Sequence, residues 1–330
     1  MKVFPVLAST ISEKELGAFA KEQYGFHDNY NCELFRTGMN HTYMLSDNET
    51  KYVLRVYSHN WRSKSEINEE VALLNLLHNN NLSVSFAIPD KNGAYIQEIQ
   101  APEGIRYVVL FSFAEGDKIR FIDQDTCFLI GALMAKIHKQ TTNTKIDRIF
   151  YNKKTLIEQP YEHLKTHFSE ALPEMEFIKE IRDFYQTSDF ENMPTGVVHM
   201  DIWYDNMAIT QEKDVTIYDF DFCGNGAQVL DIGYFCKQLF HIEADKDTYE
   251  LKKTHFLDGY QSIRPLSDIE LQCIPKAGLA VHVFYLGIQA QRFDWSNIFL
   301  SKNYLEMFYV ARLKAWIAYN TIEKHTDLKS

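Results

Sequence analysis

Cysteine is scarce in this chain and badly placed for any framework. Cys32, Cys127, Cys223, Cys236 and Cys273 are odd in number, widely scattered and contain no C-x-x-C pair. That argues against a disulfide scaffold and a cysteine-built zinc site, and predicts a reducing, cytoplasmic setting. No stretch approaches the ~18 continuous apolar residues that a membrane span needs. The short apolar patch near the N-terminus runs at once into acidic residues, so it does not read as a secretory leader. Positive charge is short as well: 34 Lys and Arg against 45 Asp and Glu leave a formal net charge of −11. Neither nucleic acid nor an anionic membrane is therefore an expected partner. Repeats and low-complexity tracts are missing too, and nothing specifies an oligomeric state. What the 330 residues do hold is 45% hydrophobic and 14% aromatic content, enough for a sizeable core and about two domains.

The chemistry concentrates in residues 197–224, VVHMDIWYDNMAITQEKDVTIYDFDFCG. Val197 and Val198 read as the end of a buried strand. His199, Asp201 and Asn206 then follow in the spacing H-x-D-x-x-x-x-N. Val215–Tyr218 is a β-branched and aromatic run that ends on Asp219, Gly224 reads as a turn, and Leu230-Asp231-Ile232-Gly233 comes next. Kinases present a base and two metal ligands to ATP in this order and spacing. A carboxylate at Asp201 can accept a hydroxyl proton. The amide oxygen of Asn206 can ligate Mg²⁺ without adding charge, and Asp219 can bridge Mg²⁺ to the β- and γ-phosphates. Magnesium favours one or two carboxylates plus phosphate oxygens, which this set offers. His199 is expected to orient the loop rather than transfer a proton.

This block resembles the aminoglycoside phosphotransferase/choline kinase superfamily. The resemblance implies an α+β, protein kinase-like fold of two lobes: a small antiparallel-sheet N-terminal lobe (1–113) with one main helix, and a larger, mostly helical lobe (114–330). It also implies ATP and Mg²⁺ as cofactors, Asp201 as base, Asn206 and Asp219 as metal ligands, and Asp231 as a brace for the catalytic loop.

The N-terminal part supplies the expected nucleotide residues. Ser12–Glu15 reads as a capping box opening a helix through about Gln23. Strand-like runs follow at Cys32–Arg36, His41–Leu45 and Tyr52–Tyr57. Gly38, Asn40 and Tyr43 match the superfamily's phosphate-covering G-x-N-x-x-Y loop, which is poorer in glycine than that of a protein kinase. Alternation puts Lys51, Val53 and Arg55 on one strand face. The resemblance sets Val53 under the adenine and Arg55 in the slot of the phosphate lysine, where its planar fork suits phosphate oxygens. A second capping box, Ser63–Glu66, opens a helix with Ile67, Val71, Leu74 and Leu77 or His78 on one stripe. Glu70, or its neighbour Glu69, would pair with Arg55. Phe86–Pro89, Tyr95–Ile99 and Tyr107–Phe113 complete a five- or six-stranded sheet, with a hairpin turn at Pro102-Glu103-Gly104. Phe111, Ser112 and Phe113 resemble the hinge whose main chain reads adenine.

Beyond residue 114 the period becomes helical. One stripe carries Phe128, Leu129, Leu133, Ile137 and His138, and more helix is expected over 156–187, Leu230–Phe240 and from Ile274 onward. Gly259–Ser267 is similar to a segment of type II homoserine kinases. Phe284–Trp295 is similar to those enzymes and to bacterial stress-response kinases. The C-terminal helices are thus expected to carry acceptor choice. Trp203, Tyr204 and Asp205 occupy variable positions of the catalytic loop and could wall an acceptor pocket. Asp205 or Asp221 could pair with an amine, and Arg292 could face a carboxylate. The expected activity is ATP-dependent phosphorylation of a hydroxyl on a small metabolite, an amino acid or amino alcohol such as homoserine. Two rivals stand beside it. Val215–Asp221 also resembles the nucleophile strand of haloacid dehalogenase-like phosphatases, with Asp219 as nucleophile and Asp221 as acid/base, but Cys223 replaces the usual Thr or Val. The other rival is a non-catalytic ATP-binding relative of the kinases.

Overall fold

Period-two sequence and two serine caps organise the first part of the chain. The computed structural model describes residues 2–291 and 301–322, with backbone alone at 187–188. Two compact units divide it, Met1–Glu115 and Gly116–Ser330.

In the first unit, Ser12 caps helix α1 (Glu13–Tyr24) by accepting from the Glu15 N–H, and Gly25 ends it at φ +73°. Strands β1 (Asn31–Arg36), β2 (His41–Ser46) and β3 (Lys51–Val56) form a meander. Helix α2 (Lys64–Asn79) begins at Ser63, where both bonds of the capping box form. β4 (Ala87–Ile88), β5 (Ile96–Ala101) and β6 (Gly104–Ser112) complete a six-stranded antiparallel sheet in the order β1-β2-β3-β6-β4. The long β6 pairs β3 along one edge, and both β5 and β4 along the other. Strand alternation then separates two faces. Leu54, Val56, Val108 and Leu110 join Leu16, Ala20, Tyr43 and Leu45 in a closed core. Val53, Arg55 and Phe111 point the opposite way, toward the Glu70 side of α2. Leu77 closes the buried stripe of α2, whereas His78 is exposed and stacks on Phe86.

The second unit is mostly helical: α3 (Gln124–Thr141), α4 (Gln159–Lys165) after a π-helical turn at Lys154–Glu158, and α5 (Pro173–Phe184). Four short strands follow, β7 (Thr195–Val198), β8 (Met207–Ile209), β9 (Val215–Ile217) and β10 (Gly224–Ala227). Then come α6 (Val229–Ile242), α7 (Lys246–Gln261), α8 (Asp268–Gln291), the single turn α9 (Lys302–Tyr304), a π-helical stretch at Leu305–Val310, and α10 (Ala311–Tyr319).

Three expectations change here. Gly224 is not a turn: it starts β10 opposite Val198, and a side chain there would collide with Ile149 and Tyr151. Phe128 and Leu129 of α3 are exposed, because α7 packs along the Cys127, Ile130, Gly131 and Met134 face. Helix α7 itself was not expected, since its apolar positions are too sparse to show a stripe. Gly233 and Gly278 bring α6 and α8 into backbone contact, where any side chain would strike the other helix. Helix α8 contains an 18-residue window of mean hydropathy 1.3, but 72% of that window is buried, so it is the core helix of this unit.

Candidate active site

Asp231 is the anchor of the site. It lies in the first turn of α6 and is 1% exposed. Its Oδ2 accepts the His199 N–H (2.8 Å), its Oδ1 accepts the Met200 N–H (2.7 Å), and His138 Nε2 lies 3.0 Å from Oδ2. Burial alone would raise the pKa of this carboxyl. The His138 hydrogen bond and the neighbouring imidazoles outweigh it and hold the group below its ordinary value. Behind His138 the support continues: Nδ1 meets the Tyr260 hydroxyl at 2.8 Å, Arg264 Nε donates to that hydroxyl at 2.9 Å, and Arg264 pairs with Glu270 at 2.6 Å. The Gly259–Ser267 segment, expected to help choose the acceptor, thus supports the catalytic loop from behind. The expected bracing by Asp231 has a direct geometric form: two backbone N–H groups held at fixed positions where the loop begins. Met200 takes φ +72° between them, a conformation uncommon for a side-chain-bearing residue and typical of over-determined functional loops.

His199 is buried and engaged on both sides. Its Nδ1 accepts the Asp201 N–H (3.1 Å), and Nε2 donates to the Tyr218 carbonyl (3.0 Å). That pattern needs a neutral ring, and burial lowers its pKa accordingly. Both ring nitrogens are thus engaged by the backbone of the loop and of the Tyr218 segment.

Asp201 is half-buried. Oδ2 accepts from Asn206 Nδ2 at 2.6 Å, and Oδ1 accepts the Tyr234 hydroxyl at 2.6 Å. Burial raises its pKa to about 7, and the charge of Asp219 pushes the same way against the hydrogen bonds from Tyr234, Tyr285 and Asn206. Tyr234 stacks on Tyr285 (5.5 Å between centroids) and accepts from Gln238 Nε2 at 2.8 Å. Tyr234, Tyr285 and His138 are site residues that sequence reasoning missed. A polar side chain on an otherwise apolar helical face was the one available signal.

Asn206 and Asp219 are brought together by a hairpin. Met207 of β8 pairs with Ile217 of β9, and the Tyr218 N–H bonds the Asn206 carbonyl at 3.0 Å. Asn206 thus precedes one strand, and Asp219 follows the other at the same open end. Asp219 has φ +64°. Because the Asn206 amide nitrogen is spent on Asp201, its oxygen is the atom that can face a cation. One amide oxygen and one carboxylate fit a magnesium ion that takes its other ligands from phosphate and water. Among the described residues there is no cluster of three His, Cys, Asp or Glu to hold a metal without such help.

The remaining predicted residues are placed as follows. Trp203 and Tyr204 are partly exposed and meet edge-on at 4.7 Å. Asp205 is paired with Lys118 at 2.8 Å, and Asp221 is 3% exposed. Arg292 lies outside the described residues. In the first unit, Arg55 pairs with Glu70, and not Glu69, at 3.1 Å, while the Tyr57 hydroxyl donates to the other Glu70 oxygen at 3.1 Å. Arg55 also lies over the Phe111 ring at 5.2 Å, and Phe111 is in register with Val53. Asn40 Oδ1 accepts the Ser58 N–H at 3.2 Å, and the Ser58 hydroxyl donates to the Met39 carbonyl, tying the Gly38–Asn40 loop to the end of β3. Tyr43 is core: it is fully buried with its hydroxyl on the Ile11 carbonyl. Ser112 is the correction in the hinge. Its N–H donates to Phe86 O (2.9 Å) and its carbonyl accepts from Ser85 (2.7 Å), so its main chain serves the sheet edge.

Known proteins resemble this chain in sequence and fold. The model of the phosphotransferase enzyme family matches residues 32–266. A homoserine kinase of Agrobacterium fabrum is 26% identical over 263 residues, spanning 78% of this chain and 77% of that one. Among solved structures, amicoumacin kinase hAmiN in complex with AMP-PNP, Ca²⁺ and Ami superposes with a TM-score of 0.73 at 19% identity, covering 94% of each chain. The microcompartment-associated aminopropanol kinase does so at 0.65 and 16%, covering 93% of this chain and 96% of its own. The fold is protein kinase-like, which removes the phosphatase alternative.

Proposed function

The chain belongs to the phosphotransferase enzyme family, the small-molecule kinases, and from that premise we propose that it moves the γ-phosphoryl group of ATP to a hydroxyl of a small metabolite. The observation that carries this reading is the single network in which Asp231 fixes the loop backbone while Tyr234 and Asn206 hold both oxygens of Asp201.

In the proposed reaction Asp201 accepts the acceptor's O–H proton as the new O–P bond forms and the bond from the γ-phosphorus to the β,γ-bridging oxygen breaks, releasing ADP. Positioning and charge neutralisation supply most of the rate in so loose a transfer. A base tuned near neutral pH suits the task better than an ordinary carboxylate. Magnesium held by Asn206 and Asp219 would neutralise charge on the phosphate oxygens. Arg55, steadied by Glu70, is assigned to the phosphates. Val53 is assigned to the adenine face, with Phe113 rather than Ser112 supplying the main-chain contact. Trp203 and Tyr204 are assigned to the acceptor wall. The homoserine kinase likeness supports a short amino acid or amino alcohol as acceptor.

The test is ADP release with a panel of hydroxylated metabolites, ATP and Mg²⁺. Asp201→Asn should lower kcat by about 10³-fold while the circular dichroism spectrum stays native. Near-normal turnover in that variant would remove Asp201 from the role of base, and absence of release with every acceptor would favour the non-catalytic reading.

A further inference from the structure

One helical turn beyond Tyr234, helix α6 carries polar groups of a different kind. Lys237 is 1% exposed, and its Nζ is 2.9 Å from His241 Nε2. His282 of α8 is 7% exposed, and its Nε2 has no hydrogen-bond partner. Its ring lies 6.1 Å from that of His241 and 4.9 Å from that of Tyr309. Arg312, half-buried over Phe308 at the start of α10, completes the group. Among the described residues no carboxylate pairs with Lys237, His241, His282 or Arg312. In three of the four, burial first and then the neighbouring basic groups hold Lys237 and His282 well below their ordinary pKa values and His241 down to about 2.

A buried amine facing two imidazoles and a guanidinium is a costly arrangement unless an anion joins it. The cluster also adjoins the catalytic base. Tyr234 holds Asp201, Gln238 holds Tyr234, and Lys237 and His241 lie roughly 4.5 and 10 Å from Tyr234 along the axis of α6. Lys237 is thus one helical turn from the residue that holds Asp201.

We infer that Lys237, His241, His282 and Arg312 form an anion subsite for the acceptor's carboxylate, so that the substrate is a short hydroxy acid rather than an amino alcohol or an aminoglycoside. This rests on the phosphotransfer reading and narrows it. The competing account makes the cluster an internal neutral amine–imidazole pair with no ligand.

The experiment uses matched acceptors that differ by the carboxylate alone: L-homoserine against 3-aminopropan-1-ol, L-serine against ethanolamine, and L-threonine against 1-aminopropan-2-ol. Each is tested with the full-length protein for ADP release and for a shift in melting temperature. The acid member of at least one pair should be preferred about 100-fold in kcat/KM. In Lys237→Met that preference should collapse, with the loss falling on KM for the acid more than on kcat. His282→Gln gives the same reading if Lys237→Met fails to fold. Equal use of both members of every pair, or a preference unchanged in the variants, overturns the subsite and leaves phosphotransfer standing. A melting shift with the acid but no ADP release from any acceptor keeps the subsite and overturns phosphotransfer. Neither release nor a shift with any pair overturns both.

Discussion

Helix α6 passes through two buried polar clusters whose chemistry is opposite. Near its start, Asp231 is a buried anion with its oxygens filled by two backbone N–H groups and an imidazole. Two turns later, Lys237 and its neighbours are buried bases with no anion among the described residues. The first cluster closes on itself, which is how a polar group becomes structure. The second is electrostatically open, and buried charge left in that state marks a place where something else binds or where protons are shed. Burial alone does not separate scaffold from site in this unit; the completeness of each group's partners does.

The sharpest way to break that contrast is to empty the first cluster. Asp231→Ala strands the N–H groups of His199 and Met200 and the ring of His138 without acceptors. Leaving buried partners of a charged group unmatched costs about 3–5 kcal/mol, which should lower the melting temperature of this unit by about 10 °C. Turnover should fall by more than that of any single change on the acceptor wall, because the loop bearing Asp201 loses its fixed start. Scanning calorimetry and kcat check the two parts. A variant that melts within about 2 °C of the native protein would show that Asp231 is not the anchor its geometry describes.

The two clusters also differ in how far they could be read in advance. The His199–Asp219 block is local: a fixed spacing and one β8–β9 hairpin bring Asn206 and Asp219 together, so residue types and intervals were sufficient. The same holds for the Ser63 cap and the Arg55–Glu70 pair, one strand and one helix apart. Contacts that join distant segments left no such trace. His138 meets Asp231 across 93 positions and Tyr260 across 122, so Tyr260 and Arg264 looked like parts of an acceptor-binding segment. Ser112 looked like a free hinge because nothing local announces that Ser85 and Phe86 return to its main chain. Gly224 looked like a turn because close approach and positive φ both select glycine, and only the fold says which applies. Lys237 was the missed clue: a lysine between Cys236 and Leu239, inside an apolar helical run, calls for an explanation from sequence alone.

Filling the second cluster with carbon should have the opposite sign from emptying the first. Methionine has nearly the length of lysine without its charge. Replacement of buried ionisable groups by well-packed apolar side chains of similar volume is commonly neutral or stabilising by about 1–4 kcal/mol. Lys237→Met is therefore expected to raise the melting temperature by about 2–4 °C, even as it impairs use of a hydroxy acid. A stabilised protein with a poorer acceptor KM is a combination that a purely structural lysine does not give. A loss of more than 2 °C would place Lys237 with Asp231 on the scaffold side.

Acid should separate the clusters more gently. His241 faces Lys237, Arg312 and Lys246, and burial together with those charges lowers its pKa to about 2 from the ordinary ~6.5. Between those values the unfolded chain holds a proton on this imidazole that the folded chain does not. Stability is then complete above about pH 6.5 and is lost as the pH falls. His282 and His199 are depressed in the same direction and act with the same sign. Asp231 behaves differently: its lowered pKa keeps its contribution intact until the pH drops below the ordinary carboxylate value of about 3.9. Denaturant melts between pH 7 and 5 should therefore show falling stability, with each depressed imidazole giving a slope of at most about 1.4 kcal/mol per pH unit. His241→Gln should make that slope shallower without moving the acid limb below pH 4. An unchanged slope in His241→Gln would mean that this imidazole is protonated in the folded protein, and an anion would then have to lie beside it even without substrate.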